Sequence, residues 1–356
     1  MVIFGITMIR SAVAGNIELT TETNLVNRQL TFAAIGFFVI ILTAAIDYHL
    51  WASISRTMYL GMAITLAVLT IVGAAVFGSA RWFETGLFNI QPSEFAKIVM
   101  ILVLAEYFTR HQGEMHNLNW VVRSFLMTMG MVVWIILQPN LSTTIVILVI
   151  WFALLWAGGL RLLHLGLFVL VAVVLPFVSF PFLADYQQAR ITNFLFTNPE
   201  ASYGESYNIQ QALISIGSGG WFGQGYGHGT QVQLRFLKVR WSDFIFSAMA
   251  EEFGFVGVII VMLLLLFIVY RCLRAARLAR DTYGALIAYG VATLIAFQAL
   301  VNIGVNLKLM PATGLTFPFL SYGGSSLLSA LLGIGLVQSV IIRYKSLEFS
   351  AGNNGN

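Results

Sequence analysis

Long apolar stretches alternate with short polar loops along most of this chain. Many of them approach the roughly 20 residues that a helix needs to cross the hydrocarbon core of a bilayer. They cover residues 1–13, 30–46, 58–78, 93–108, 121–137, 144–158, 162–183, 244–270, 284–304 and 324–342. The pattern predicts an all-α polytopic membrane protein of about ten transmembrane helices, forming a single integral membrane domain over residues 1–356.

Composition supports the same fold class. Only 10% of the 356 residues are charged and 58% are hydrophobic, with a mean hydropathy of +0.85. Soluble domains carry roughly 25% charged residues, so a soluble enzyme and a disordered chain are both excluded. The single cysteine, Cys272, cannot form an internal disulfide, which excludes a secreted disulfide scaffold.

Charge predicts the orientation of the helices. The net charge of +4 is small for this length and argues against a nucleic-acid partner, for which clustered Lys and Arg are expected. If the first apolar stretch runs outward, the short cytoplasmic loops hold ten Lys or Arg residues and the short outer loops hold five. Cytoplasmic loops carry the excess of these residues, so both termini are expected in the cytoplasm.

One long loop interrupts the short ones. It covers residues 184–242, between the seventh and eighth predicted helices, and lies on the outer side in this topology. Its apolar stretch at 209–216 and glycine cluster at 217–229 predict a partly helical segment along the membrane surface. The run 223–229 is no dinucleotide fingerprint, because that motif needs a preceding strand and a following helix.

Asp243 is the strongest candidate for chemistry, because it lies where the long loop enters an apolar stretch. Ionisable residues at membrane depth are costly and are functional by default. The alternative is a helix N-cap, in which Asp accepts hydrogen bonds from free backbone N–H groups. Glu251 and Glu252 follow two turns later, about 80° and about 180° around the helix from Asp243. At most one of them is therefore expected to share a cavity with Asp243, and structural pairing is the favoured interpretation for each.

A second candidate group surrounds Pro92, near the outer start of the fourth stretch. Glu94 and Lys97 stand three residues apart, which places them on one helical face as a possible ion pair. The alternative is that Lys97 contacts an anionic lipid headgroup.

Lys308 precedes a loop at 311–326 that is rich in Pro, Gly and hydroxyl residues. Irregular backbone at membrane depth occurs where it lines a cavity or is buried in protein.

Seven motifs follow one another along nearly the whole chain. They are QPSEFAK at 91–97, QPNLST at 138–143, QALISIGSGG at 211–220, GQGYGHGTQ at 223–231, DFIF at 243–246, AEEFG at 250–254 and PATGLTFPFLSYGGSS at 311–326. Together they resemble the SEDS family of bacterial cell-wall proteins, which includes RodA and FtsW. The AEEFG segment is more similar to the RodA branch. Two departures are Asn140, where the family often has Asp, and Trp241-Ser242, where His-Thr is more usual.

The resemblance implies a peptidoglycan glycosyltransferase that polymerises lipid II at the outer face of the bacterial plasma membrane, for cell elongation and shape. It implies Asp243 as the catalytic carboxylate and a class B penicillin-binding protein as partner, beside lipid II and membrane lipids. The candidate substrate-binding residues are Lys97, Glu94, Lys308, Ser321, Tyr322 and Arg240. No metal-ligand spacing is present, although a divalent cation such as Mg²⁺ could share the stabilisation of the pyrophosphate. A lipid II flippase and a non-catalytic scaffold remain the alternatives.

Overall fold

The computed structural model describes residues 1–14, 23–76, 81–84, 89–112, 118–160, 166, 180–182, 185–196 and 204–352. Thirteen helices of the described residues are numbered in chain order, beside a 3-10 turn at Phe180–Phe182. They are α1 Val2–Val13, α2 Thr23–Ala45, α3 Tyr48–Ser53, α4 Ser55–Val76, α5 Pro92–Arg110, α6 Leu118–Leu137, α7 Leu141–Ala157, α8 Asp185–Leu195, α9 Glu205–Ser218, α10 Thr230–Gln233, α11 Ile245–Leu278, α12 Thr282–Asn306 and α13 Gly324–Gly352. Two short antiparallel strands, β1 Phe83–Glu84 and β2 Asn89–Ile90, precede α5.

Six of these helices, namely α2, α4, α6, α11, α12 and α13, are long and apolar enough to cross a membrane. The shorter helices α1 and α7 are apolar as well. The predicted all-α polytopic fold is therefore confirmed, with the small hairpin as an addition. The count of about ten spans stays a prediction, and most of the predicted seventh stretch, 162–183, lies outside the described residues.

Helix α5 lies at the centre of the bundle, where it packs against α4, α7, α12 and α13. Fifteen of its nineteen residues are buried, including Glu94, Lys97 and Glu106. The outer helices instead expose large apolar side chains such as Phe38 and Ile64. Because lipid solvates apolar side chains and not charged ones, ionisable residues belong on the helix that the other helices surround.

A polar cluster joins α3, α12 and α13 at one end of the bundle. The Asp47 carboxylate accepts a hydrogen bond from the His49 backbone N–H at 3.0 Å and lies 3.2 Å from Nε of Arg343. The Tyr48 hydroxyl donates to Asp281, and His49 Nε2 lies 3.0 Å from the same carboxylate. Burial by itself would raise the pKa of Asp47, but the hydrogen bonds with His49 and the charge of Arg343 hold that pKa below its ordinary value.

Helix α11 is interrupted at Gly254, where φ is +63° and ψ is −167°. The glycine cluster at 217–229 forms backbone hydrogen bonds with α11 around this break. Gln224 N donates to Glu251 O at 2.9 Å, and Phe255 N donates to Gly220 O at 2.9 Å. An ideal Cβ on Gly254 would lie 2.3 Å from the backbone nitrogen of Gly223. The cluster therefore docks against a transmembrane helix through backbone hydrogen bonds, which its sequence did not predict.

Both glutamates of α11 have partners on neighbouring elements. The Glu251 carboxylate accepts hydrogen bonds from the backbone N–H groups of Gln231, at 2.8 Å, and Val232, at 3.3 Å, and so caps α10. Glu252 accepts a hydrogen bond from the Ser11 hydroxyl of α1. These contacts agree with the expectation that the two carboxylates make structural pairs.

Candidate active site

A cavity of about 800 Å³ lies at the end of α12 and α13 that is opposite the Asp47 cluster. Its walls come from elements far apart in the chain: the start of α2, the β-hairpin, the first turn of α5, the turn between α6 and α7, α8, and the loop before α13. Most of the lining residues stand at helix ends or in loops. The cavity therefore opens where the helices terminate and not midway along them.

Asp243 lines this cavity directly before α11. The N-cap residue of α11 is Phe244, and Phe244 makes no side-chain capping bond. The interpretation of Asp243 as the N-cap residue is therefore wrong by one position. The Ser242 hydroxyl donates to Asp243 Oδ1 at 3.1 Å, and an ideal Cβ on Gly314 would lie 3.8 Å from Oδ2. The loop before α13 thus passes beside the carboxylate.

Ser321 and Tyr322 connect that loop to the backbone next to Asp243. The Tyr322 backbone N–H donates to Trp241 O at 2.8 Å, and the Ser321 hydroxyl donates to Ser242 O at 2.6 Å. The same hydroxyl accepts a hydrogen bond from Phe317 N at 2.8 Å. Tyr322 lines the cavity, whereas Ser321 is buried beneath the lining. Both candidates therefore lie beside Asp243, with Ser321 as a backbone link.

Glu94 and Lys97 form the ion pair that their spacing predicts, with 2.7 Å between Nζ and Oε2. Glu94 lines the cavity, whereas the Lys97 side chain is 1% exposed and lies behind it. The Ser329 hydroxyl of α13 donates to Glu94 O at 2.8 Å. The pair thus places a carboxylate at the cavity and a compensating ammonium inside the bundle.

The other two candidate cations lie away from the cavity lining. Arg240 is 4% exposed, and its Nε donates to Ala12 O of α1 at 2.6 Å. Lys308 follows the end of α12 with φ at +55° and does not appear in the described lining. Three arginines outside the six candidate substrate-binding residues do line it, Arg28, Arg81 and Arg190. Only their predicted location in outer loops hinted at this.

The lining thus combines two carboxylates, Asp243 and Glu94, with three arginines. Arg81 already donates from Nε to Gln138 O at 2.9 Å and from Nη2 to Pro139 O. Guanidinium groups bind phosphate through paired N–H donors, and a carboxylate can accept a proton from a substrate hydroxyl. The described residues contain no group of three or more His, Cys, Asp or Glu side chains placed to hold a metal ion. Asp243 and Glu94 are the carboxylates of the described lining, and they would be the residues to hold a divalent cation there.

These features define a polytopic membrane protein with a polar, charge-lined cavity at one end of its helix bundle. A family model described as the cell cycle protein family FTSW_RODA_SPOVE matches residues 1–346. The chain therefore belongs to the FtsW, RodA and SpoVE family, which is the SEDS family named above.

Individual relatives agree over nearly the whole chain. A protein of Thioalkalivibrio sulfidiphilus named probable peptidoglycan glycosyltransferase FtsW is 36% identical, over 94% of this chain and 85% of its own. A chain from a peptidoglycan synthase complex superimposes with a TM-score of 0.77 at 28% identity, covering 96% and 97% of the two chains. The crystal structure of Thermus thermophilus RodA gives 0.68 at 29% identity, covering 95% and 92%. Sequence similarity thus leads to a protein named FtsW, and the RodA-like interpretation of residues 250–254 stays a prediction.

Proposed function

We propose that this protein is a peptidoglycan glycosyltransferase that polymerises lipid II at the outer face of the bacterial plasma membrane. The observation that carries the proposal is the cavity at the helix ends, which brings Asp243 together with Arg28, Arg81 and Arg190. Lipid II joins a disaccharide to a membrane lipid through a pyrophosphate. A site with a base and several cations, next to the bilayer, suits that substrate. The name of the relative from Thioalkalivibrio sulfidiphilus supports the same activity.

The proposed reaction forms one glycosidic bond and breaks one sugar–phosphate bond. The hydroxyl of the acceptor GlcNAc attacks carbon 1 of the donor MurNAc, and its proton passes to the Asp243 carboxylate. The bond between carbon 1 and the pyrophosphate oxygen breaks, and its electron pair leaves with undecaprenyl pyrophosphate. A sugar hydroxyl is a poor nucleophile, so a positioned general base accelerates the attack by roughly 10²- to 10⁴-fold.

The leaving pyrophosphate gains negative charge as the bond breaks. Fixed cations aimed at that charge lower the barrier most when water is excluded. The lining arginines meet this need more directly than Lys97, Lys308 and Arg240, because those three side chains lie outside the described lining. Glu94 and Tyr322 reach the cavity and would contact the sugars or peptide of the substrate.

We further propose a class B penicillin-binding protein as the partner that crosslinks the glycan product. The superimposed chain supports this assignment, because it belongs to a peptidoglycan synthase complex that is described as coordinating polymerization and crosslinking. Cell elongation and shape is the role that the RodA-like segment favours, while similarity to proteins named FtsW favours division. Either role uses the same glycosyl transfer.

A lipid II flippase is the alternative of a different class. Transporters of the inverted-repeat type place their sites near the bilayer midplane, between broken helices. Here the lining residues stand at helix ends, such as Glu94 in the first turn of α5 and Thr143 in the first turn of α7. This location favours chemistry at the membrane surface over transport.

Polymerisation of purified lipid II in detergent tests the proposal, because no bilayer is present for a flippase to act across. We expect Asp243→Asn and Asp243→Ala to lower the rate at least roughly 100-fold with the folded fraction unchanged. The matched control is Asp47→Asn, the same chemical change at the opposite end of the bundle. Glycan strands made at the wild-type rate by Asp243→Asn would reject the base role. No polymer from the wild type, with its proposed partner present, would reject the activity.

A further inference from the structure

Asp243 is held by a helix other than the one that follows it. We propose that Asn302 and Asn306 of α12 are positioning residues. Their side-chain amides bond to the Asp243 backbone carbonyl and thereby hold the Asp243 carboxylate at the cavity. This inference deepens the proposed function and rests on it for the identity of the reacting group. The geometry itself does not depend on that function.

Two hydrogen bonds converge on one carbonyl oxygen. Asn302 Nδ2 donates to Asp243 O at 3.1 Å, and Asn306 Nδ2 donates to the same oxygen at 3.0 Å. The two asparagines are 2% and 0% exposed, and they stand one turn apart on one face of α12. Asn306 Nδ2 also donates to Asn302 O at 2.8 Å. The two asparagines are therefore hydrogen-bonded to each other as well as to Asp243.

The other end of the Asn306 amide holds the first turn of α11. Asn306 Oδ1 accepts hydrogen bonds from Ser247 N at 3.2 Å and from the Ser247 hydroxyl at 2.6 Å. The first N–H groups of a helix lack partners inside the helix, and Phe244 supplies no side-chain cap here. Asn306 thus performs from α12 the capping role that the sequence suggested for Asp243.

Asn302 also forms a hydrogen bond to the loop that passes beside the Asp243 carboxylate. Its Nδ2 donates to Leu315 O at 2.7 Å, one residue after Gly314, the loop glycine nearest to Asp243 Oδ2. The Asn302 amide therefore bonds both to the Asp243 backbone and to the loop beside the Asp243 carboxylate. Together with the Ser321 and Tyr322 contacts, the three successive carbonyls from Trp241 to Asp243 are all anchored from outside their own segment.

This arrangement matters because a general base must lie within hydrogen-bond reach of the proton that it takes. A displacement of about 1 Å at a reacting group can lower the rate 10²-fold. Loss of the hydrogen bonds from Asn302 and Asn306 to Asp243 is therefore expected to slow the chemical step. Substrate binding by the remaining cavity lining should stay nearly intact. Simple destabilisation of the bundle would instead lower the amount of folded protein.

The test compares Asn306→Leu with Gln298→Leu, which removes a buried amide two turns earlier on α12. Gln298 is 4% exposed, and its Nε2 has no hydrogen-bond partner among the described residues. We expect Asn306→Leu to lower kcat for lipid II polymerisation by roughly 10- to 100-fold, with KM changed by less than about threefold. Gln298→Leu should leave both constants near the wild-type values.

A second variant keeps the inference falsifiable if Asn306→Leu does not fold. Asn302→Leu leaves both Ser247 contacts in place and removes one of the two donors to Asp243 O. We expect the same selective loss of kcat. Wild-type kcat in either folded variant, or a rise in KM alone, would overturn the positioning role.

A thiol measurement separates this inference from the proposed function. In a Cys272→Ser background, Asp243→Cys should react with a water-soluble thiol reagent at a rate that Asn306→Leu changes several-fold and Gln298→Leu does not. A changed labelling rate beside full activity of Asp243→Asn would reject the base role and retain the positioning. An unchanged labelling rate in folded Asn306→Leu would reject the positioning, whatever the activity.

Discussion

The ammonium of Lys97 lies 2.7 Å from the Glu94 carboxylate, and only 1% of the Lys97 side chain is exposed. Three residues of spacing predicted this contact, since such residues share a helical face. The spacing did not predict which end of the pair meets the cavity. That end is Glu94, because the first turn of α5 borders the cavity and the next turn lies inside the bundle.

Removal of one member of this pair should be far more costly than removal of both. A lone buried charge costs roughly 3–5 kcal/mol, whereas a neutral pair of similar volume is often tolerated. We expect Lys97→Met and Glu94→Gln each to lower the folded fraction in detergent, and the double variant to recover it. Thermal unfolding measures the fold and lipid II polymerisation measures the function. A double variant that folds but makes no polymer would assign the pair to substrate binding.

At the scale of elements, the break in α11 shows why a run of apolar residues does not specify a continuous helix. Residues 244–270 predict one span, and the structure interrupts it at Gly254 so that the glycine cluster can form backbone hydrogen bonds there. The φ of +63° and ψ of −167° belong to a region that is essentially restricted to glycine. Three residues before the break, the Glu251 carboxylate accepts a hydrogen bond from Gln231 N of α10.

Gly254→Ala should therefore be strongly destabilising. A side chain there would lie 2.3 Å from Gly223 N, and the backbone strain by itself costs on the order of 1–3 kcal/mol. The matched control is Gly61→Ala on α4, where a Cβ meets nothing within 4 Å and a helical alanine is favoured over glycine. We expect a lowered melting temperature for the first variant and an equal or higher one for the second. A Gly254→Ala protein as stable as Gly61→Ala would show that the break is dispensable.

For the whole molecule, the cavity and the Asp47 cluster lie at opposite ends of α12 and α13. The charge bias of ten against five in the short loops predicts that the Asp47 end faces the cytoplasm. We therefore propose that the cavity opens on the outer face of the plasma membrane and that both termini are cytoplasmic. A substrate that presents its sugars outside the cell requires this orientation.

Two single cysteines in a Cys272→Ser background test the orientation. Leu234, between α10 and α11, is 65% exposed, and Ser53 at the end of α3 is exposed as well. Leu234→Cys should react with an impermeant thiol reagent in cells whose outer barrier is permeabilised, and Ser53→Cys only after the inner membrane is opened. The reverse pattern of labelling would invert the topology and place the cavity in the cytoplasm.

The sequence by itself determined the fold class, the Glu94–Lys97 pair and the family, and it predicted Asp243 as the catalytic carboxylate. Each of these follows from local spacing, or from motifs that are contiguous in the chain. The tertiary structure decided which residues share the cavity, because Arg28, Arg81, Arg190 and Asp243 lie on segments far apart in sequence. It also decided that Asn306 caps α11 in place of Asp243. That contact spans 59 residues, and the period of a helix describes only neighbours within the same helix, so no local pattern encodes it.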